Sequence, residues 1–337
     1  MARGATWRRR CPAATGILTS RWGRPLARIR SPRPLNAQVR RHPARRSFNR
    51  GAIAMSDEGL SVEPVSDARH PRVQGELFLP SHPSGWGVLV LAGSSGRLDV
   101  HGARLFAREG AVALAQRWFG QPGLPDEIRD VPLELFIEGI DLLESRGCSR
   151  VALLGRSRGA EAALLVAVND TRPRAVFALS PSSVAWAGTG LDGRPSWTFG
   201  GTGVPFVPYD LTWWEQPREG LIEYRGLYER SLRVDPQVTA RAHIQVERMR
   251  AQLILVAGAA DALWPSDAFA RSIAQRLRDH GRTCTLLNHP EAGHRVLLPG
   301  DATPRSQLHA HGGTDHADAE LGTAAWNAIV ECMRGTR

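Results

Sequence analysis

The chain contains no lysine: all 43 of its basic residues are arginine. Such a one-sided choice reads as the codon bias of a GC-rich genome, so arginine richness carries no functional argument by itself. No apolar run approaches the ~20 residues of a membrane-spanning helix, so no membrane span is expected. Cysteine is scarce. Cys11, Cys148, Cys284 and Cys332 show no CxxC pairing and no dense spacing. That argues against a disulfide framework or a zinc site and makes a reducing, cytoplasmic setting the expectation. Acidic residues are missing from residues 1–54, which hold 14 arginines. This excess is larger than the formal charge of +10 on the whole chain, so the remainder is net acidic. A basic groove for nucleic acid is therefore not expected.

Residues 1–54 are rich in Arg, Pro and Ala and lack sustained periodicity, as a disordered extension would. A secretory signal needs an apolar core of about 7–15 residues. The segment Ala13 to Leu18 is too short for that, and Arg8-Arg9 is followed by no apolar stretch. A transit peptide fits the acid-free composition better. A third reading, which we favour, places the true start at Met55, where MSDEGL brings the first acidic residues.

What remains, 55–337, suits one α/β domain. Strands are expected at Val73 to Leu79 (as an edge), Trp86 to Ala92, Ala111 to Gln116, Val151 to Leu154, Ala175 to Leu179, Leu253 to Ala257 and Thr283 to Leu287. These are short apolar runs, several of them β-branched. Helices are expected at His101 to Glu109, Pro132 to Ser145, Ala160 to Val168, Ser266 to His280 and Leu321 to Met333. In the second of these, Leu133, Phe136, Ile137, Ile140 and Leu143 recur at helical spacing. Alternating strands and helices predict an α/β fold, a mostly parallel sheet with helices on both faces. Residues 185–245 interrupt it as an irregular, cap-like insertion rich in Gly, Pro and Trp.

The chemistry centres on Gly155-Arg156-Ser157-Arg158-Gly159. In a nucleophile elbow a strand turns sharply into a helix and exposes the serine hydroxyl at the tip, with glycines where a Cβ would clash. The pentapeptide alone is weakly specific. The apolar strand before it and the Ala-rich helix after it supply the required context. Asp261 follows the strand Leu253 to Ala257 and can fix a histidine tautomer. His294 follows the next strand, and a serine elbow with the order Ser, acid, His predicts the α/β-hydrolase fold. His289 is a rival, but it falls at a strand end. The oxyanion hole is expected from the backbone N–H of Arg158 and that of Ser94 or Ser95 in the GSSG loop. His309, His311 and His316 cluster in sequence without ligand spacing, so no metal is expected, and no motif calls for a cofactor. Arg156 and Arg158 flank the nucleophile. Each could meet phosphates or an acidic acyl group, or be held in a salt bridge. Trp186, Trp197, Phe199, Phe206, Trp213 and Trp214 could line an acyl pocket or pack the insertion. Some hydrolase folds only bind ligands, but a pure binder needs no ordered triad.

Further segments carry a family likeness. AQRWFGQPGLPDEIRDVPLELFIEGIDLL contains Phe119-Gly120 and Gly123-Leu124-Pro125 before a helix opening Val131-Pro132-Leu133. IQVERMRAQLILVAGAADALWPS contains Leu263-Trp264-Pro265-Ser266. HGGTDHADAELGTAAW places a Gly-Gly-Thr loop before the last helix. From about residue 86 to 334 the chain resembles the C-terminal catalytic domain of acyl-CoA thioester hydrolases and bile acid-CoA:amino acid N-acyltransferases. The resemblance implies an acyl-thioester substrate, with Phe119, Trp186, Trp264 and Arg156 as candidate substrate contacts. Carboxylesterases and dienelactone hydrolases share the fold, so an ester substrate is the alternative. Two departures matter. The 30 or so residues before the core strand are too few for the β-sandwich domain of the animal enzymes. Ser157 stands where relatives that transfer the acyl group to an amino acid use Cys, which favours hydrolysis.

Overall fold

The computed structural model describes residues 59–65, 67–190, 192–213 and 220–335. The expectations for residues 1–54 and for Trp214 lie outside them. In chain order the elements are β1 (Leu60–Pro64), β2 (Gln74–Pro80), β3 (Trp86–Leu91), α1 (Val100–Arg108), β4 (Val112–Arg117), β5 (Val131–Pro132), α2 (Glu134–Ser145), β6 (Arg150–Arg156) and α3 (Arg158–Asn169). There follow β7 (Pro173–Leu179), β8 (Trp197–Phe199), β9 (Thr202–Gly203), α4 (Arg225–Val234), α5 (Pro236–Ala242), β10 (Gln252–Gly258), α6 (Ser266–Asp279), β11 (Thr285–His289) and α7 (Asp315–Gly335).

Eight strands form one sheet in the order β1-β2-β4-β3-β6-β7-β10-β11. The six from β4 to β11 run parallel, and β1 and β2 extend one side by antiparallel pairing. The expected edge strand, β2, is therefore internal; β1, missed for its short and partly charged sequence, is the edge. Side-chain alternation sorts the core into two layers. Leu89 and Leu91 of β3 pack with Phe136 and Ile140 of α2, Ala162 of α3 and Ile273 of α6. Val88 and Val90 pack on the opposite face with Phe106 of α1 and Ile329 of α7. Parallel strands covered on both faces must be apolar throughout, and all six residues of β3 are buried.

The insertion is more regular than its composition suggested. It contains β8, β9, α4 and α5, and β8 joins β5 and β9 in a second, three-stranded sheet. A two-residue strand such as β5 exists only because Val131 and Leu133 donate to Ser196 and Thr198 carbonyls 65 residues on, a long-range pairing without a local signal. The start of α5 did carry a signal. Asp235 caps it by accepting from Gln237 and Val238 N–H, with Pro236 in the first turn.

Candidate active site

Four loops meet at the carboxyl ends of β3, β6, β10 and β11, the edge where parallel sheets hold ligands. Ser157 lies between β6 and α3 with φ 54 and ψ −118, a left-handed conformation that a side chain adopts only when its surroundings enforce it. The two motif glycines make the turn possible. A Cβ at Gly155 would stand 2.2 Å from the Gly159 carbonyl oxygen, and one at Gly159 would stand 2.4 Å from that of Ala92. Strand, helix and the neighbouring β3 loop are thus in backbone contact. As the first residue of α3, Arg158 has an N–H with no intrahelical acceptor, available at the positive end of the helix.

Asp261 is buried, and four donors hold its carboxylate. The N–H groups of Leu263 and Trp264 reach Oδ1 at 2.9 and 3.2 Å. Ser266 Oγ donates to Oδ2 at 2.6 Å, and His294 Nδ1 lies 2.8 Å from the same oxygen. An imidazole whose Nδ1–H points at a carboxylate presents a basic Nε2 on its far side. The backbone around His294 is also fixed. Its N–H donates to the His311 carbonyl at 2.8 Å, and its own carbonyl accepts from Ser180 Oγ at 2.8 Å. Asp318, at the start of α7, accepts from Gly293 N–H at 2.7 Å. The rival His289 is engaged elsewhere, 3.4 Å from Glu320. His316 also faces Glu320, and no group of three or more His, Cys, Asp or Glu among the described residues is placed to hold a metal.

The GSSG loop starts against the nucleophile. A Cβ at Gly93 would lie 3.2 Å from Ser157 Cβ, while Ser94 and Ser95 form an exposed turn. Trp118 Nε1 donates to the Ala92 carbonyl at 3.2 Å, and Arg117 donates to that of Gly96 at 2.5 Å. The Phe119 ring packs on Gly96, which puts it beside this loop.

Both arginines flanking Ser157 are held in salt bridges, the second of the two readings open to them. Arg156 donates to Asp99 Oδ2 at 2.5 Å and to the Val296 carbonyl at 2.6 Å. It therefore joins the elbow to the N-cap of α1 and to the loop of the base. The Arg158 guanidinium is buried on Glu161 at 2.7 Å and also bonds the Ala187 carbonyl and Ser196 Oγ. Glu161 was missed. Its carboxylate accepts from Trp186 N–H at 2.9 Å and from Trp197 Nε1 at 2.6 Å. Burial pushes this carboxyl above its ordinary range, against the pull of the Arg158 guanidinium and the two tryptophan donors. A lone acid in the apolar run EAALLVAV, three residues after an Arg, was the signal.

Trp186 takes the second of its two readings, packing the insertion. It is 0% exposed and packs on Tyr209, Tyr228 and Phe269 rather than lining a pocket. Trp197 is equally buried, whereas Phe199 is exposed. Trp264 does touch the site, edge-on to the His294 ring with centroids 5.9 Å apart.

In sequence and in fold the chain is similar to known proteins. Residues 131–335 match the family model described as BAAT / Acyl-CoA thioester hydrolase C terminal. Acyl-coenzyme A thioesterase 6 of Mus musculus and acyl-coenzyme A thioesterase 1 of Homo sapiens are each 28% identical over 284 residues, 80% of this chain. The matches span 64% of the length of those two relatives. A solved Klebsiella pneumoniae protein assigned to the dienelactone hydrolases superposes with a TM-score of 0.51 at 17% identity. That match covers 82% of this chain and 99% of the other, a likeness of fold.

Proposed function

Because this chain belongs to the BAAT / acyl-CoA thioester hydrolase C-terminal family, we propose that it is a serine hydrolase of acyl-CoA thioesters. The observation that carries the proposal is Ser157 on a strained elbow, with a buried Asp261 bonded to His294 Nδ1 at 2.8 Å on the neighbouring loops. In this reading His294 Nε2 takes the hydroxyl proton as Ser157 Oγ attacks the thioester carbonyl. The tetrahedral oxyanion is met by the N–H of Arg158 and an N–H of the GSSG loop, Ser94 or Ser95. The C–S bond breaks, the CoA thiolate leaves with a proton from His294, and an acyl-Ser157 ester remains. Water, deprotonated by His294, then releases the acid and restores the serine. The four donors on Asp261 hold its charge opposite the imidazolium that forms in each step.

Serine rather than cysteine as nucleophile favours water over an amine as acyl acceptor. The test is release of free thiol from a panel of acyl-CoAs, run beside matching p-nitrophenyl esters. Thioester turnover that disappears in Ser157→Ala supports the proposal. Ester turnover alone would make this a carboxylesterase on the same three residues.

A further inference from the structure

Residues 311–313 run between the loop of the acid and the loop of the base. The His311 carbonyl accepts from His294 N–H at 2.8 Å and from Ala262 N–H at 3.4 Å, so one oxygen ties the residue after the acid to the base itself. Asp261 and Gly312 form an isolated antiparallel bridge. Both glycines have positive φ, 68 and 59. A Cβ at Gly312 would lie 1.8 Å from the Ala260 carbonyl oxygen, and one at Gly313 2.1 Å from Gly293 N. The strip is therefore in backbone contact with both loops at once, a placement that only glycine permits. Arg305 fastens it, donating to the Gly312 and Gly313 carbonyls at 2.9 and 3.1 Å and to Asp315 at 2.7 Å.

On this strip the His311 ring lies 21° from parallel to the His294 ring, with centroids 6.2 Å apart. We propose that His311 is a positioning residue for the base: its imidazole, seated on the Gly-Gly strip, fixes the plane in which His294 is presented to Ser157. This rests on the reading of Ser157, His294 and Asp261 as a catalytic triad.

The charged and titratable groups facing His311 are His294 and Arg295 from the base loop, Arg305 from its own segment, and Asp261 from the acid loop. Burial, and then His294 and the two arginines, bring its pKa down to about 4. At neutral pH the ring is uncharged. The His311 ring then adds no positive charge of its own beside the imidazolium that forms on His294 during acyl transfer.

The experiment is the rate at which a fluorophosphonate labels Ser157 as a function of pH, a readout that needs no acyl-CoA. His311→Ala should label about tenfold more slowly, with the corresponding loss in thioester hydrolysis falling on kcat rather than KM. His311→Phe keeps an uncharged ring in the same place and should stay within about threefold of the native rate. His311→Arg should move the acidic limb of the labelling profile to lower pH and His311→Asp to higher pH. Thermal midpoints measured alongside separate lost positioning from lost fold. Native labelling by the Ala variant would overturn the proposal. So would a folded Phe variant as slow as Ala, or a limb that stays put in both charged variants. A native protein that the probe does not label at Ser157 would instead sink the triad reading itself.

Discussion

In the sheet, Leu89 and Leu91 face one helical layer while Val88 and Val90 face the other, each within a large apolar cluster. The insertion after β7 is docked differently. Arg158 and Glu161, 3% and 0% exposed at their side chains, reach from the elbow helix to the Ala187 carbonyl, Ser196, Trp186 and Trp197. Apolar burial is non-directional, so it tolerates substitution if volume is kept. A buried ion pair is directional. It is worth little against an apolar replacement of the whole pair, yet it is severely upset when one partner is removed. Beside the β5–β8 pairing and the packing of Trp197 on Trp118 and Phe136, the insertion thus gains a directional seat on the helix that carries the nucleophile, centred on a single carboxylate.

The largest effect is expected at the carboxyl end of β6 and should leave both regions folded. Ser157→Ala should lower turnover about 10³- to 10⁶-fold with little change in thermal midpoint; near-native hydrolysis would remove the elbow from the mechanism. Glu161→Ala comes next, since it strands the Arg158 charge. A loss of about 3–5 kcal/mol in denaturant unfolding is expected, most of it recovered in the double variant Arg158→Met, Glu161→Leu. If the single variant were as stable as an exposed substitution, the contrast between the regions would collapse. Gly159→Ala forces a Cβ to 2.4 Å from a carbonyl oxygen of the β3 loop, and about 1–3 kcal/mol of destabilisation should follow. Arg156→Met, on the more open side of the elbow at 20% side-chain exposure, should cost about 1 kcal/mol. A loss at Arg156 larger than at Glu161 would reverse the comparison.

The smallest effect is a slope. His311 titrates near 4 in the folded protein against an ordinary value of 6.5. Between those values the unfolded chain binds more protons than the folded one. Stability from this group is present above pH 6.5 and is lost as pH falls toward 4. His311→Phe should flatten the thermal midpoint in that window; an unchanged slope would mean the ring titrates normally.

Seven of the eight main-sheet strands and five of the seven α-helices among the described residues were legible because they rest on local periodicity. β3 reads as an unbroken apolar run, α2 repeats its apolar residues at helical spacing, and the elbow shows itself as glycines two residues either side of a serine. Ser157, Asp261 and His294 could be named because each follows such a strand in the expected order. Tertiary structure alone decided three things. It placed Arg156 and Arg158 in internal pairs, although by type they could equally have met an anion. It buried Trp186 in the insertion core, although by composition it could have lined a pocket. And it put His311, one of three clustered histidines, beside the base. For Arg156, Trp186 and His311 the deciding partner (Asp99, Tyr209 or His294) is distant in the chain, and the pattern of residues within a segment carries no record of which distant group the chain will bring against it; Glu161 lies on the same helix as Arg158, and there tertiary structure added the burial of the pair.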